Sequence, residues 1–185
     1  MWQMLRQIFR VGLVSQPPPP GDPAMIDGAL HADIQRVFGR ALCLRHVDAG
    51  SCNGCELEIH ALGNPYYNLE GLGIKFVASP RHADALLVTG PVTRNMREAL
   101  QRTYAAMPDP KFVIAVGDCA GCGGVFGESY ASLGRVANVI PVDVTVPGCP
   151  PSPTALLRGI LAAVRVGSGE ERVGVEGGVP RGDRG

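Results

Sequence analysis

The chain predicts a doubly wound parallel α/β sheet, on three observations. Short apolar runs such as 85–88 and 112–116 alternate with segments of helical periodicity, and strands buried on both faces read as continuous apolar runs. Glycine and proline are plentiful, at 25 and 16 residues, against 5% aromatics, which suits small elements joined by many tight turns. The 185 residues are enough for one domain with a real core plus tails.

Taken in order, Met1 to Val14 reads as a short amphipathic helix with Trp2, Leu5, Ile8 and Phe9 on one face and Arg6 and Arg10 beside it. It packs on its own domain or a partner, or it meets a membrane surface. Gln16 to Pro23, with four prolines at 17–20, reads as an extended arm. The expected organisation is an N-terminal helix and arm over 1–29, an α/β domain over 30–166, and a tail over 167–185 rich in Gly, Arg and Glu.

Within the domain, strands are expected at Leu42 to Val47, Ile74 to Ala78, Ala85 to Thr89 and Lys111 to Val116. A fifth spans Val139 to Val146, where Pro141 argues for an edge position or a late start. A helix starts over Cys55 to Leu62. The best helix runs from Thr93 to Met107, with Met96, Leu100 and Tyr104 at helical spacing and Pro108 and Pro110 ending it. A closing helix covers Thr154 to Val166, capped by Ser152 or Thr154.

Charge and composition exclude several functions. Seventeen basic residues balance seventeen acidic ones, so no general nucleic-acid surface is implied. No apolar run spans a bilayer, and neither a cleavable leader nor a twin-arginine pair is present. A cytosolic setting follows, where structural disulfides are disfavoured. No phosphate-binding glycine motif and no nucleophile–base pair is present. His31, His46, His60 and His82 show no ligand pairing and read as surface or satisfied polar residues.

The six cysteines carry the chemistry. Cys52 and Cys55 follow the first predicted strand, Cys119 the fourth and Cys149 the fifth. Ligand sites in such sheets lie outside the carboxyl ends of the strands, so three distant loops converge on one edge. A cubane cluster needs four thiolates held by backbone that approaches its sulfides closely. Glycines stand in each loop, at 50 and 54, at 117, 121, 123 and 124, and at 148, and Pro150 and Pro151 stiffen the last. Cys43 reads as a core thiol. Cys122 forms a second C-x-x-C with Cys119, so Cys52, Cys55, Cys119 and Cys122 offer a zinc alternative. That scheme leaves Cys149 idle in its rigid loop. Glu56 and Glu58 are either first-turn carboxylates facing a helix dipole or a proton relay beside a redox centre.

Four ordered segments, Gly50 to Glu58, Ser79 to Met96, Gly117 to Ala120 and Pro147 to Pro151, resemble the superfamily that joins nickel–iron hydrogenase small subunits to the B subunit of respiratory complex I. The resemblance covers roughly 42–164. It implies a flavodoxin-like fold and one 4Fe–4S cluster held by Cys52, Cys55, Cys119 and Cys149, proximal to the active site of a larger partner. The C-x-x-C spacing of the first pair is similar to that of formate hydrogenlyase and other membrane-bound hydrogenases, whereas complex I subunits have adjacent cysteines there. The short length and the missing twin-arginine signal resemble the same branch. Glu58 aligns with an acidic position of the complex I branch. The implied partners are a hydrogenase-type or quinone-type large subunit, a ferredoxin-like iron–sulfur subunit and integral membrane subunits. The implied location is peripheral, on the cytoplasmic side of the membrane.

Overall fold

The computed structural model describes residues 23–167, together with Trp2 and Arg6. The expected helix over 1–14 (those two residues apart), the arm up to 22 and the tail beyond 167 lie outside the described residues. Five strands, β1 (Leu42–Asp48), β2 (Ile74–Phe76), β3 (Ala85–Thr89), β4 (Phe112–Val116) and β5 (Val144–Val146), form one sheet in the order β2-β1-β3-β4-β5. Every pairing is parallel. This is the expected doubly wound α/β fold, in the flavodoxin-like order.

Alternation along the central strands builds two cores. Ala85 and Leu87 of β3, with Phe112, Ile114 and Val116 of β4, point into one; Leu86, Val88, Val113 and Ala115 point into the other. Three helices cover the first face: α1 (Pro23–Phe38), α2 (Gly54–Ala61) and α5 (Pro153–Gly167). The helices α3 (Arg97–Ala106) and α4 (Gly117–Cys122) cover the second. Among the described residues no helix is long and apolar enough to cross a membrane.

Several boundaries move for local reasons. Helix α3 starts at Arg97, not Thr93, because the Thr93 amide and hydroxyl both donate to the Ala49 carbonyl, at 2.9 and 3.1 Å. Those bonds hold 93–96 as a turn against the loop after β1. Strand β5 starts at Val144, late as Pro141 suggests, and a 3-10 turn, Val136–Asn138, stands just before the expected strand. Helix α1 has no counterpart among the expected elements. It straddles residue 30, buries Leu30 and Ile34 completely, and ties to α5 through Arg165 and Asp33 at 2.8 Å. Ser152 caps α5, its hydroxyl accepting the Ala155 amide at 3.3 Å.

Aspartates stitch the amino ends of the strands. The Asp84 amide donates to the Cys43 carbonyl at 2.8 Å while its carboxylate accepts the Cys43 amide at 2.9 Å. Arg40 grips the same carboxylate through two nitrogens, at 2.6 and 3.0 Å, the bidentate geometry that makes such pairs strong. Asp143 repeats the pattern with Val113, amide to carbonyl and amide to carboxylate, both at 2.9 Å. Each aspartate fixes where its neighbouring strand begins.

Helix α5 sits close on β5 because Gly159 lacks a side chain: a Cβ there would lie 2.2 Å from Cγ2 of Val146. Alanine in a helix interior gains about 1 kcal/mol over glycine, but overpacking a stiff β-branched neighbour costs about 1–3 kcal/mol. Gly159→Ala is therefore expected to lower stability by about 1 kcal/mol despite its better helix propensity, as read from urea denaturation midpoints. A more stable variant would contradict this packing.

Candidate functional site

The strand register sets the site. Asp48, Thr89, Val116 and Val146 lie side by side across the sheet, each paired with the next. All four strands end at this row, and the cysteines follow it at nearly equal intervals. Cys119 is three residues beyond Val116, Cys149 three beyond Val146, and Cys52 four beyond Asp48.

The first loop has farthest to travel, because β3 stands between β1 and β4. It crosses over the end of β3 at Gly90. A Cβ on Gly90 would lie 2.4 Å from the Ser51 nitrogen, so only glycine lets the backbone pass. The Asp48 carboxylate accepts the amides of Gly50 and Ser51 at 2.8 and 2.7 Å, and the Ser51 hydroxyl accepts that of Asn53 at 3.1 Å. Asn53, in the left-handed region at φ 71°, then turns the chain into α2.

Three loops meet beyond the row. A Cβ on Gly54 would stand 3.5 Å from Sγ of Cys52 and 3.9 Å from Cβ of Pro150, bringing the first loop against the last. A Cβ on Gly117 would stand 2.7 Å from Sγ of Cys55 and 3.2 Å from the Gly148 carbonyl. The space that a side chain at 117 would fill is therefore taken by a thiol and by the loop after β5. Cys119 lies in α4, a short helix where the glycine-rich sequence suggests a loop.

Electrostatics report the same meeting. Burial pushes the Cys55 thiol up to about 12, and negative charge on Glu56, Cys119, Cys52 and Cys149 adds to the rise. The Cys119 thiol is raised by burial first, then by Cys149, Cys52, Asp118 and Cys122. Such repulsion needs the groups near one another. Cys52, Cys149 and Cys122 are exposed, Cys55 and Cys119 partly buried. Cys122 points its thiol back along its own helix, donating to the Asp118 carbonyl at 3.1 Å. Cys43 is buried, as expected of a core thiol.

Behind Cys55 lies a polar group the sequence does not reveal. Glu56 is buried in the first turn of α2 and accepts the Thr89 hydroxyl on Oε1. Nε2 of His46 lies 2.9 Å from that hydroxyl and 3.7 Å from Glu56 Oε1. Glu56 Oε2 is buried without a hydrogen-bond partner among the described residues. Burial lowers the His46 pKa, against the pull of Glu56 and Asp48, and so favours the neutral imidazole. It is a satisfied polar residue, as its lack of ligand pairing suggests. Glu58 is half-buried on the same helix and takes no part in this group.

With this geometry in view, residues 52–163 match the family model of the NADH ubiquinone oxidoreductase 20 Kd subunit. The chain belongs to that family. A probable membrane-bound hydrogenase subunit of Pyrococcus furiosus is 50% identical over 133 residues, covering 72% of this chain and 80% of the relative. Formate hydrogenlyase subunit 7 of Escherichia coli is 45% identical over 136 residues, which span 74% of this chain and 53% of that protein. A chain of the membrane-bound sulfane sulfur reductase, an archaeal respiratory membrane complex, superposes with a TM-score of 0.63 at 32% identity, covering 82% of this chain and 78% of that one. A chain of the NiFeSe-hydrogenase of Dm. baculatum superposes with a TM-score of 0.53 at 19% identity, over 69% of this chain and 63% of that one, and shares the fold.

The family implies an iron–sulfur cluster, and the residues present fit one. Four thiols on three loops supply a donor set that iron–sulfur clusters prefer, and Gly117 leaves room where a side chain would collide with Cys55. Among the described residues no three His, Cys, Asp or Glu side chains close on a single metal ion. A cubane spreads its ligands over four irons, so its thiolates stand farther apart than those around one ion.

The raised Cys55 pKa has a chemical consequence. The thiolate is the nucleophile, so in metal-free protein at pH 8 iodoacetamide is expected to modify the exposed Cys52, Cys122 and Cys149 at least about tenfold faster than Cys55. Cys55 gains reactivity only as pH climbs towards 12. Time-resolved peptide mapping reads the rates, and equal labelling at pH 8 would contradict the burial.

Proposed function

We propose that this chain is the electron-transfer subunit, carrying one 4Fe–4S cluster, of a membrane-bound, formate-hydrogenlyase-like nickel–iron hydrogenase complex. The observation that supports it best is the meeting of three thiol-bearing loops beyond one row of strand ends, in a chain 50% identical over 133 residues to a probable membrane-bound hydrogenase subunit. Cys52, Cys55, Cys119 and Cys149 would hold the cluster, which when bound takes up and passes on single electrons. The chain's own residues do the rest. Asp48 shapes the first loop, and buried Pro151 keeps water from one side of the thiols.

The same reading assigns partners. Leu57, Val125 and Phe126 are exposed apolar side chains on segments adjoining Cys55 and Cys122, a surface suited to being covered by a large subunit. A ferredoxin-like subunit exchanges electrons with this chain, and integral membrane subunits hold the complex peripherally on the cytoplasmic side. The isolated chain turns over no substrate. A second reading, favoured by the description of the matching family, is the corresponding subunit of a complex I-like quinone oxidoreductase, with the same cluster and a quinone-binding partner.

The complex, purified anaerobically from native membranes through a tag on this chain, decides between them. Nickel with iron and the EPR signal of a reduced cluster supports the hydrogenase. Iron and that signal without nickel supports the quinone-linked or another nickel-free relative. Zinc alone, without the signal, sinks both. Within that complex, Cys149→Ser is expected to abolish the signal of this cluster and Cys122→Ser to leave it. The reverse result would make Cys122, in place of Cys149, the fourth thiol that holds the cluster.

Glu56 and Glu58 complete the reading as residues that hold a proton near the redox centre. Reduction adds negative charge and favours protonation close by. Of the two, Glu56 is the buried one and has an oxygen without a hydrogen-bond partner among the described residues. Glu56→Gln is expected to keep the cluster's EPR signal and iron content while lowering the turnover of the purified complex severalfold. Unchanged turnover would remove Glu56 from this role.

A further inference from the structure

We infer that Asp118 is a positioning residue that clasps the loops of Cys119 and Cys149 together, and that its charge lowers the reduction potential of the centre they hold. The Asp118 amide donates to the Gly148 carbonyl at 2.9 Å, and its Oδ1 accepts the Gly148 amide at 2.8 Å. This is the reciprocal ring that Asp84 makes with Cys43 and Asp143 makes with Val113 at the amino ends of the strands. There it fixes where neighbouring strands begin. Here it lies outside the sheet, between two loops, and both of its residues adjoin a cysteine in sequence.

The strand ladder between β4 and β5 stops at Val116 and Val146. Past that row this ring joins the two loops directly, beside the contact of Gly117 with Gly148 and the seating of Gly121 on Thr145 of β5. The carboxylate also adds to the negative charge felt at Cys119. A nearby negative charge disfavours an added electron, and charge is one of the levers that set cluster potentials. The inference rests on the proposed electron-transfer role.

Two substitutions in the purified complex separate geometry from charge. Asp118→Asn keeps an oxygen that accepts the Gly148 amide but removes the charge; it is expected to retain the cluster EPR signal and iron content and to shift the midpoint potential upward. Asp118→Ala removes the acceptor and is expected to lose the signal, so that retention in the Asn variant is a rescue that a folding defect at this position would not give. The inference is overturned if Asp118→Ala keeps wild-type iron and potential, if Asp118→Asn loses the cluster as completely as Asp118→Ala, or if its potential does not move. A wild-type complex without any cluster signal would instead refute the electron-transfer reading beneath it.

Discussion

The site depends on one constraint, the parallel register that ends four strands on a common line. Parallel ladders have evenly spaced bonds and strands about 4.8 Å apart. A row running Asp48, Thr89, Val116, Val146 therefore delivers four chain exits at equal height and close spacing. Three of those exits carry cysteines within four residues. Short excursions keep the loops stiff, since each has little chain in which to wander. The fourth exit, from β3, carries no thiol. It contributes an absence of bulk at Gly90, over which the first loop passes to reach the other two.

Aspartate is the recurrent fastener of this molecule. Its short side chain accepts an amide across a gap of one strand while its own amide donates back, closing a ring that neither Glu nor Ala reproduces. Asp84 and Asp143 apply that ring where strands start. Asp48 uses the carboxylate differently, gathering two amides of its own loop. Buried or half-buried amides must find acceptors, and in these irregular stretches the aspartates supply them where no ladder exists.

Much of the frame was legible in the sequence because it rests on patterns with a period. The uninterrupted apolar runs at 85–88 and 112–116 mark strands buried on both faces, and the structure places them at the centre of the sheet. The spacing of Met96, Leu100 and Tyr104 gave helix α3 its core face, though not its start, which a long-range bond from Thr93 to Ala49 displaces. Helix α1 escaped notice since it follows a proline-rich stretch and earns its place by packing on α5. Helix α4 escaped because four glycines among residues 117–124 read as a loop. At the site, the cysteine positions relative to strand ends were readable. The Glu56–Thr89–His46 group was not, because it joins three elements through contacts that leave no spacing signature. The Asp118 ring left only an aspartate between a glycine and a cysteine.

The passage of the first loop over Gly90 also bears on how the chain is made. Cys52 and Cys149 are separated by 97 positions, the difference of their numbers, and contacts between such distant parts form late because loop closure must come first. A ribosome that has reached α3 has already released two thiols, with neither β4 nor β5 yet available to receive them. Nascent chains thus leave Cys52 and Cys55 exposed to solvent until the later strands have been made. The meeting of the three loops exists only after the last strand docks, so a group held by all of them would be taken up after that docking and not before.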